Sequence, residues 1–273
     1  ADPVTTRAES RSLTPNGRRG TLRTMTYLQE RDLGRQIQDR IADPAGKRRY
    51  VRDLFGGIAG RYDVTNDLMS VGLHRRWKAL ALQIADVRAG HVLLDLAAGT
   101  GDFALRAARQ GRAERIVAAD LTVEMLQAGK LREGAESVEW IACDALSLPL
   151  ADRSVDRALV GYGLRNFAGL ARGLAEIRRV LRPGGKLVAL DFGRVEPEWL
   201  DRMYLRYLEV SASAAGWVLH RNVESYRYIP ESLRVYPAQR GVTDLMQRLG
   251  FQHCGHVDLV FGAMAINFGE LPD

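Results

Sequence analysis

The fold is decided by the stretch Val92-Leu93-Leu94-Asp95-Leu96-Ala97-Ala98-Gly99-Thr100-Gly101-Asp102. Its first half is an apolar run of strand length, and its second half is a glycine loop that leads into helix-forming residues. Glycine permits backbone angles and close approaches that a Cβ would block, and a helix N-terminus favours polar or anionic ligand groups. Strand, glycine turn and helix in this order predict a nucleotide-binding loop.

Strands and helices alternate from this loop onward. The predicted strands are 91–96, 116–120, 138–143, 155–162 and 186–192, and the predicted helices are 102–110, 122–132 and 168–181. After a helix at 242–249, the strands 251–260 and 263–268 predict an antiparallel hairpin. The alternation predicts an α/β fold, a doubly wound, Rossmann-like sheet of seven mostly parallel strands with an antiparallel C-terminal hairpin.

Polar side chains stand at the ends of four predicted strands. They are Asp95, Asp120, Asp144 and Tyr162, one at each strand. Ligands of such sheets bind outside the carboxyl ends of the strands, so we expect these four residues to surround the ligand.

Composition indicates an ordinary globular protein, with 46% apolar and 26% charged residues among 273. No run approaches the roughly 18 to 20 consecutive apolar residues that span a bilayer, and no signal-peptide core is expected near the start. The two cysteines, Cys143 and Cys254, argue against a disulfide framework and favour the cytoplasm.

Charge is concentrated at the start of the chain. Residues 1–60 hold twelve basic and seven acidic side chains, which is +5 of the net charge of +6. We predict that residues 1–26 are a disordered basic leader, a composition that also resembles a transit peptide. The leader is either a solvated tail or a contact with the anionic inner face of a membrane. No aromatic residue precedes Tyr27, which argues against nucleic acid.

Residues 27–273 are predicted to form one domain in three parts. Residues 27–90 form an N-terminal helical cap, 91–193 the cofactor half, and 194–273 a substrate lid with the C-terminal hairpin. In the cap, we expect helices at 27–43, 47–58 and 78–87. In the lid, we expect a helix at 199–220, suited to a lipid pocket, a core or a homodimer contact, and then an irregular aromatic segment at 226–236, interrupted by prolines.

The glycine loop alone fits two cofactors. Residues 99–104 satisfy a loose dinucleotide fingerprint, and Asp120 stands where an acid would bind ribose hydroxyls. Asp95, however, would repel a pyrophosphate but attract a sulfonium and an amino group. Asp144-Ala145 suits an adenine amine, and residues 182–186 introduce a fifth strand before the hairpin. These features favour S-adenosylmethionine over NAD and predict a class I methyltransferase.

A longer motif sharpens this prediction. The pattern Tyr62-Asp63-x-x-Asn66-x-x-Met69-Ser70-x-x-x-His74-x-x-Trp77 resembles the first signature of the UbiE/MenG family of ubiquinone and menaquinone C-methyltransferases. The glycine loop, Gly163-Leu164-Arg165-Asn166, Tyr228-Ile229-Pro230-Glu231-Ser232 and Phe261-Gly262 are also similar to the family. Two positions depart from its pattern: Thr65 replaces Met, and Asp191-Phe192-Gly193 replaces Glu-Phe-Ser. The second departure leaves the quinone ring open.

The resemblance implies methyl transfer from S-adenosylmethionine to a ring carbon of a prenylated quinol. It implies cofactor contacts at Asp95, Gly99, Thr100, Gly101, Asp120, Leu121, Asp144, Ala145 and Gly161. Asp120 would bind the ribose hydroxyls and Asp144 the adenine amine. Asn66, His74 and Tyr162 are assigned to the substrate.

Three residues are predicted to be catalytic: Arg165, Asn166 and Tyr62. A quinol carbon becomes nucleophilic when its phenol, of pKa about 10, loses a proton, and a guanidinium stabilises the resulting quinolate. Asn166 and Tyr62 would orient the ring or a water. Alternatively, Arg165 forms an ion pair that closes the loop. His74 is either another base or a structural hydrogen-bond partner.

Other functions remain open from the sequence. One is methylation of a soluble aromatic natural product, and another is a non-catalytic scaffold, which would have no need of Asp95, Gly99, Gly101 and Asp120. No metal is expected, because His253 and His256 lie in a predicted strand and no fourth ligand is evident. Cys143 is expected to pack in its apolar strand.

Overall fold

A seven-stranded sheet lies at the centre of the computed structural model, which describes residues 34–61, 70, 72–111, 113–215 and 223–273. The strands are β1 His91–Leu96, β2 Ala113–Asp120, β3 Glu139–Ala142, β4 Val155–Gly161, β5 Leu181–Phe192, β6 Gln252–Leu259 and β7 Met264–Glu270. Their order is β3-β2-β1-β4-β5-β7-β6. Strands β1 to β5 pair in parallel, and β7 is antiparallel to both β5 and β6. The predicted doubly wound sheet with an antiparallel hairpin is confirmed.

Helices cover both faces of this sheet. They are α1 Pro44–Ile58, α2 His74–Ala85, α3 Asp102–Gln110, α4 Val123–Lys130, α5 Leu170–Val180, α6 Glu198–Ala215, α7 Val223–Val235 and α8 Ala238–Arg248, and residues 34–41 are helical as well. Side chains alternate along β1, so that Leu93 packs with α2 and α3 whereas Leu94 packs with α5 and α8. Parallel strands are therefore apolar on both faces, as the run before the glycine loop indicates.

Two helices begin earlier than predicted, and the first of them has a side-chain cap. Helix α1 begins at Pro44, where the Asp43 side chain accepts hydrogen bonds from the backbone N–H groups of Ala45 and Gly46 at 2.9 Å. Helix α2 begins at His74, four residues before its predicted start, and the His74 N–H donates to Ser70 Oγ at 3.4 Å.

The prediction of an irregular segment at 226–236 is wrong. Helix α7 runs through this segment and contains Pro230. Proline removes one helical hydrogen bond, but the helix buries Tyr228 and Leu233 in the protein core. Tertiary packing therefore outweighs the local preference that the sequence displays.

Some predictions lie outside the described residues. These are the basic leader at 1–26, the first part of the helix at 27–43, the last part of the helix at 199–220, and the site residues Tyr62 and Asn66. The division into cap, cofactor half and lid stays a prediction, although α1 and α2 precede β1, and α6 and α7 follow β5. Within the described ranges, every helix is too short or too polar to cross a bilayer.

Candidate active site

A cleft lies at the carboxyl ends of β1, β2 and β4. Together with the part that is open to solvent, it encloses about 690 Å³. Eight residues predicted for the site line it together: Gly99, Asp120, Leu121, Asp144, Ala145, Gly161, Tyr162 and Asn166. The remaining described candidates do not line the cavity and are buried: His74, Asp95, Thr100, Gly101 and Arg165.

Asp120 is held at the cavity by two backbone N–H groups. Its Oδ2 accepts from Gly99 N at 2.8 Å, and its Oδ1 accepts from Thr122 N at 2.7 Å. The side chain thereby joins the glycine loop to the start of α4. Burial raises the pKa of Asp120, whereas these hydrogen bonds favour the carboxylate. The Thr122 side chain and the Leu121 backbone also form hydrogen bonds with this carboxylate.

Asp144 contacts a residue that the sequence did not single out. Its Oδ1 accepts from Leu146 N at 3.0 Å, and its Oδ2 accepts from Arg48 Nη1 at 3.0 Å. Arg48, Val51 and Phe55 are spaced by three and four along α1, and all three line the cavity. This spacing marks one helix face and could have identified α1 as a wall of the pocket.

The indole of Trp140 packs against the back of the glycine loop. A Cβ at Gly101, where φ is +76°, would overlap the Trp140 ring, and a Cβ at Gly129 of α4 would lie 2.5 Å from the same ring. Arg132 Nη1 donates to the Thr100 carbonyl at 3.1 Å and to Thr100 Oγ1 at 3.0 Å. Thr100 and Gly101 thus belong to the packing behind the cavity, and a direct cofactor contact by either stays a prediction.

The substitution Gly101→Ala is expected to lower the free energy of unfolding by about 2–4 kcal/mol, because strained backbone and overlap with Trp140 add together. Gly111→Ala is the matched control. Gly111 also has a positive φ, of +61°, but no atom lies within 4 Å of its added Cβ. Gly111→Ala should lower the free energy of unfolding only by the backbone strain, about 1 kcal/mol. Urea denaturation measures both, and equal losses would contradict the packing role of Trp140.

Asp95 lies beneath the loop, 1% exposed, and its Oδ2 accepts from Ala104 N at 2.9 Å in the first turn of α3. It therefore fixes the helix that follows the loop. Burial raises the pKa of Asp95 to about 7, although the Ala104 hydrogen bond and the charge of Lys78 act in the opposite direction. A direct contact between Asp95 and the cofactor stays a prediction.

The raised pKa of Asp95 gives stability a defined pH dependence. Unfolded Asp95 titrates near pH 4, so its contribution to folding is present below that pH and is lost as the pH rises to about 7. Asp95→Asn should remove this dependence. We expect its free energy of unfolding, relative to the parent, to rise by up to about 4 kcal/mol between pH 4 and pH 7.5. Urea denaturation across this range tests it, and parallel profiles would contradict the assignment.

Arg165 forms a buried ion pair that closes the loop after β4 onto β5. Its Nη1 lies 3.1 Å from Asp191 Oδ1 and donates to the Tyr162 carbonyl at 2.6 Å. The Arg165 backbone N–H donates to Asp191 Oδ2 at 3.2 Å, and the guanidinium lies 4.9 Å from the Phe192 ring centre. This is the ion-pair arrangement that the sequence left open as the alternative. Direct stabilisation of a quinolate by Arg165 stays a prediction.

The departure Asp191-Phe192-Gly193 lies beneath this loop, and none of its three residues lines the cavity. Asp191 is 3% exposed and forms an ion pair with Arg165. At Gly193 an added Cβ would overlap the Gly262 carbonyl, so a serine does not fit without a backbone shift. The local packing therefore accounts for the glycine.

Of the two predicted catalytic residues that the structure describes, Asn166 lines the cavity and Arg165 does not. Asn166 Nδ2 donates to the Tyr162 carbonyl at 3.0 Å, and Asn166 Oδ1 accepts from Tyr228 Oη at 3.0 Å. Tyr162 has a φ of +58°, in the left-handed region. Its carbonyl accepts hydrogen bonds from both Asn166 and Arg165. Lys47 Nζ donates to the Arg165 carbonyl at 2.8 Å, and burial lowers the pKa of Lys47 to about 8. Sequence reasoning assigned no role to Lys47.

Several other candidates have structural partners. His74 Nδ1 lies 2.9 Å from Ser70 Oγ, which is the structural hydrogen bond that the sequence left open. His256 Nδ1 lies 3.3 Å from Thr243 Oγ1, and His253 is 80% exposed beside Glu270. Burial raises the pKa of the Cys143 thiol to about 11, so it is a neutral packing group of the cavity wall.

Comparison with known families identifies the relatives of this chain. The model of the ubiE/COQ5 methyltransferase family matches residues 44–270. A protein of Methylococcus capsulatus, named ubiquinone/menaquinone biosynthesis C-methyltransferase UbiE, is 41% identical over 228 residues, covering 82% of this chain and 92% of that protein. The protein of the same name from Acidiphilium cryptum is 40% identical over 231 residues, covering 83% and 92%.

Solved structures share the fold. A SAM-dependent methyltransferase from Thermotoga maritima has a TM-score of 0.55 at 20% identity, covering 80% of this chain and 98% of that one. A phosphoethanolamine N-methyltransferase from Haemonchus contortus, solved with S-adenosylhomocysteine, has a TM-score of 0.54 at 15% identity, covering 72% and 53%. At these identities the similarity establishes the class I methyltransferase fold alone.

Proposed function

The chain belongs to the ubiE/COQ5 methyltransferase family, and we propose that this S-adenosylmethionine-dependent C-methyltransferase acts on a ring carbon of a prenylated quinol. The observation that carries the proposal is the cavity at the strand ends, which is lined by Asp120 and Asp144 from β2 and β3, on one side of β1 in the sheet, and by Asn166 after β4, on the other side. Its curated relatives, which are similar over more than four-fifths of the chain, bear the corresponding name.

The residues of the cavity fit S-adenosylmethionine better than a dinucleotide. Two carboxylates line it, and among the described residues Arg48 is the one lining cation. Because Arg48 is paired with Asp144, it offers little to a pyrophosphate. We assign the ribose hydroxyls to Asp120 and the adenine amine to Asp144, with Gly99, Leu121, Ala145 and Gly161 shaping the pocket. When bound, the cofactor supplies an electrophilic methyl group on a sulfonium.

On the acceptor side, Asn166 reaches the cavity and Arg165 lies behind it. A quinol phenol has a pKa of about 10, so its nucleophilic anion needs stabilisation at neutral pH. Asp191 balances much of the charge on Arg165, and we therefore assign the contact with the ring oxygen to the Asn166 amide. Arg165 supports that loop. Alignment of carbon and methyl group supplies the rest of the acceleration.

The proposal is tested by a methylation assay on two reduced substrates, a demethylmenaquinol and a demethoxy-type benzoquinol. We expect one or both to gain a methyl group in place of one ring hydrogen, which is released as a proton, and mass spectrometry measures the product. The soluble-substrate alternative depended on Asp191-Phe192-Gly193, which lies off the cavity surface. Turnover of neither quinol, with turnover of a soluble aromatic phenol, would establish that alternative instead.

The cellular setting belongs to the same proposal. A prenylated substrate resides in a membrane, and the +5 charge of residues 1–60 suits an anionic inner leaflet. We propose a cytoplasmic homodimer that contacts this leaflet through its basic N-terminal region. Co-sedimentation with anionic and neutral vesicles tests the contact, and light scattering tests the dimer. Equal binding to both vesicle types would contradict the electrostatic contact.

A further inference from the structure

Tyr228 connects helix α7 to the candidate active site. Its side chain is 1% exposed, and its hydroxyl donates to Asn166 Oδ1 at 3.0 Å across 62 residues of sequence. The ring packs against Tyr50 of α1, with ring centres 5.5 Å apart at an interplanar angle of 52°. A residue far from the cavity in sequence thus holds a residue that lines it.

The hydrogen bonds at Asn166 determine which way its amide points. Tyr228 Oη lies at the amide oxygen, and the Tyr162 carbonyl lies at the amide nitrogen. Rotating the amide by 180° would place Oδ1 against the Tyr162 carbonyl, where two acceptors repel each other. An amide nitrogen carries two protons, and Tyr162 takes one. Because Tyr228 and the Tyr162 carbonyl fix the orientation of the amide, they also fix the direction in which its second Nδ2 proton points.

Tyr228 remains a donor over the whole physiological range. Burial raises the pKa of its hydroxyl, so the phenol keeps its proton. The Arg165 guanidinium acts in the opposite direction and Asp191 acts in the same direction, and these two charges are paired with each other. A protonated phenol is the form that can donate to the Asn166 carbonyl oxygen.

We propose that Tyr228 is a positioning residue for methyl transfer, because it orients the Asn166 amide so that one Nδ2 proton faces the oxygen of the acceptor ring. The inference rests on the proposed function of Asn166. It makes the docking of α7 a requirement for turnover but not for cofactor binding, since the assigned cofactor residues are Asp120, which ends β2, and Asp144, which follows β3.

The substitution Tyr228→Phe removes the hydroxyl and keeps the ring. We expect kcat for the quinol to fall about tenfold or more, while the Kd for S-adenosylmethionine, measured by calorimetry, stays within about twofold. Tyr50→Phe is the matched control, because it removes a hydroxyl from the same ring pair without touching the Asn166 bond. Its kcat should stay within about twofold. Equal kcat values for the two variants would overturn the inference.

A double-substitution cycle separates this inference from the proposed function. In an Asn166→Ala background, Tyr228→Phe should have little further effect on kcat, because its action passes through Asn166. If Asn166→Ala turns over normally, the proposed role of Asn166 fails. If Asn166→Ala is impaired, Tyr228→Phe should be compared in the Asn166→Ala protein and in the protein that retains Asn166. If it lowers kcat by the same factor in both, the positioning role of Tyr228 fails.

Crystal structures of the parent and of Tyr228→Phe provide a readout that needs no substrate. We expect the Asn166 side chain to rotate or to lose its single orientation in the variant. An unchanged Asn166 conformation would overturn the positioning claim even if no quinol were accepted.

Discussion

Replacing Arg165 with methionine is expected to lower the free energy of unfolding by about 3–5 kcal/mol. The guanidinium and the Asp191 carboxylate are 6% and 3% exposed and lie 3.1 Å apart. Removal of Arg165 leaves Asp191 charged in the protein interior, where an isolated carboxylate is costly. The Tyr162 carbonyl also loses a 2.6 Å hydrogen bond. Chemical denaturation measures the loss, and a change below about 1 kcal/mol would contradict the buried ion pair.

The matched control is the double variant Arg165→Met/Asp191→Leu. It removes both charges, so we expect it to recover most of the lost stability. Its turnover then separates two roles of Arg165. If the double variant is stable but fails to methylate the quinol, the guanidinium contributes to the reaction beyond its ion pair. If it turns over normally, Arg165 acts only by closing the loop.

Replacing Asp120 with alanine is expected to weaken S-adenosylmethionine binding by about two orders of magnitude or more, because each charged hydrogen bond contributes roughly 1.5–3 kcal/mol. The carboxylate is our assigned partner of the ribose hydroxyls. It also accepts from Gly99 N and Thr122 N, so its loss loosens the glycine loop. Isothermal titration calorimetry measures the affinity.

Asp156→Ala is the control for Asp120→Ala. Asp156 also accepts from a backbone N–H of β1, that of Val92 at 2.7 Å, and pairs with Arg182 at 2.6 Å. It lies at the opposite end of the sheet from the cavity. We expect this variant to lose stability and keep its cofactor affinity. Unchanged affinity in Asp120→Ala would refute the assigned ribose site.

Local sequence patterns predicted the strands, the helices and the strand-end residues whose signals lie within a few consecutive residues. Strand β1 and helix α3 have the predicted boundaries, because an apolar run and a glycine turn are complete local signals. Asp120, Asp144 and Tyr162 meet at the cavity because parallel strands bring their carboxyl ends together. These predictions needed no knowledge of the distant packing.

Contacts between segments that are far apart in the chain could not be predicted from the sequence. Pro230 indicates a helix break, but burial of Tyr228 keeps α7 helical. Arg165 meets Asp191 across 26 residues, and Arg48 meets Asp144 across 96. An arginine has the same appearance in sequence whether it faces a substrate or a buried carboxylate. Only the packing of α1 and β5 against the loops decides between those roles.

Methyl transfer to a quinolate carbon is tested by comparing one acceptor ring in two redox states. The purified protein and S-adenosylmethionine would be incubated anaerobically with demethylmenaquinol or the demethoxy-type benzoquinol, and in parallel with the matching quinone. Mass spectrometry then measures incorporation of a carbon-bound methyl group. We expect incorporation into the reduced ring only, because only a phenol can become the nucleophilic quinolate. Equal methylation of the oxidised ring, or a methyl group bound to oxygen, would contradict it.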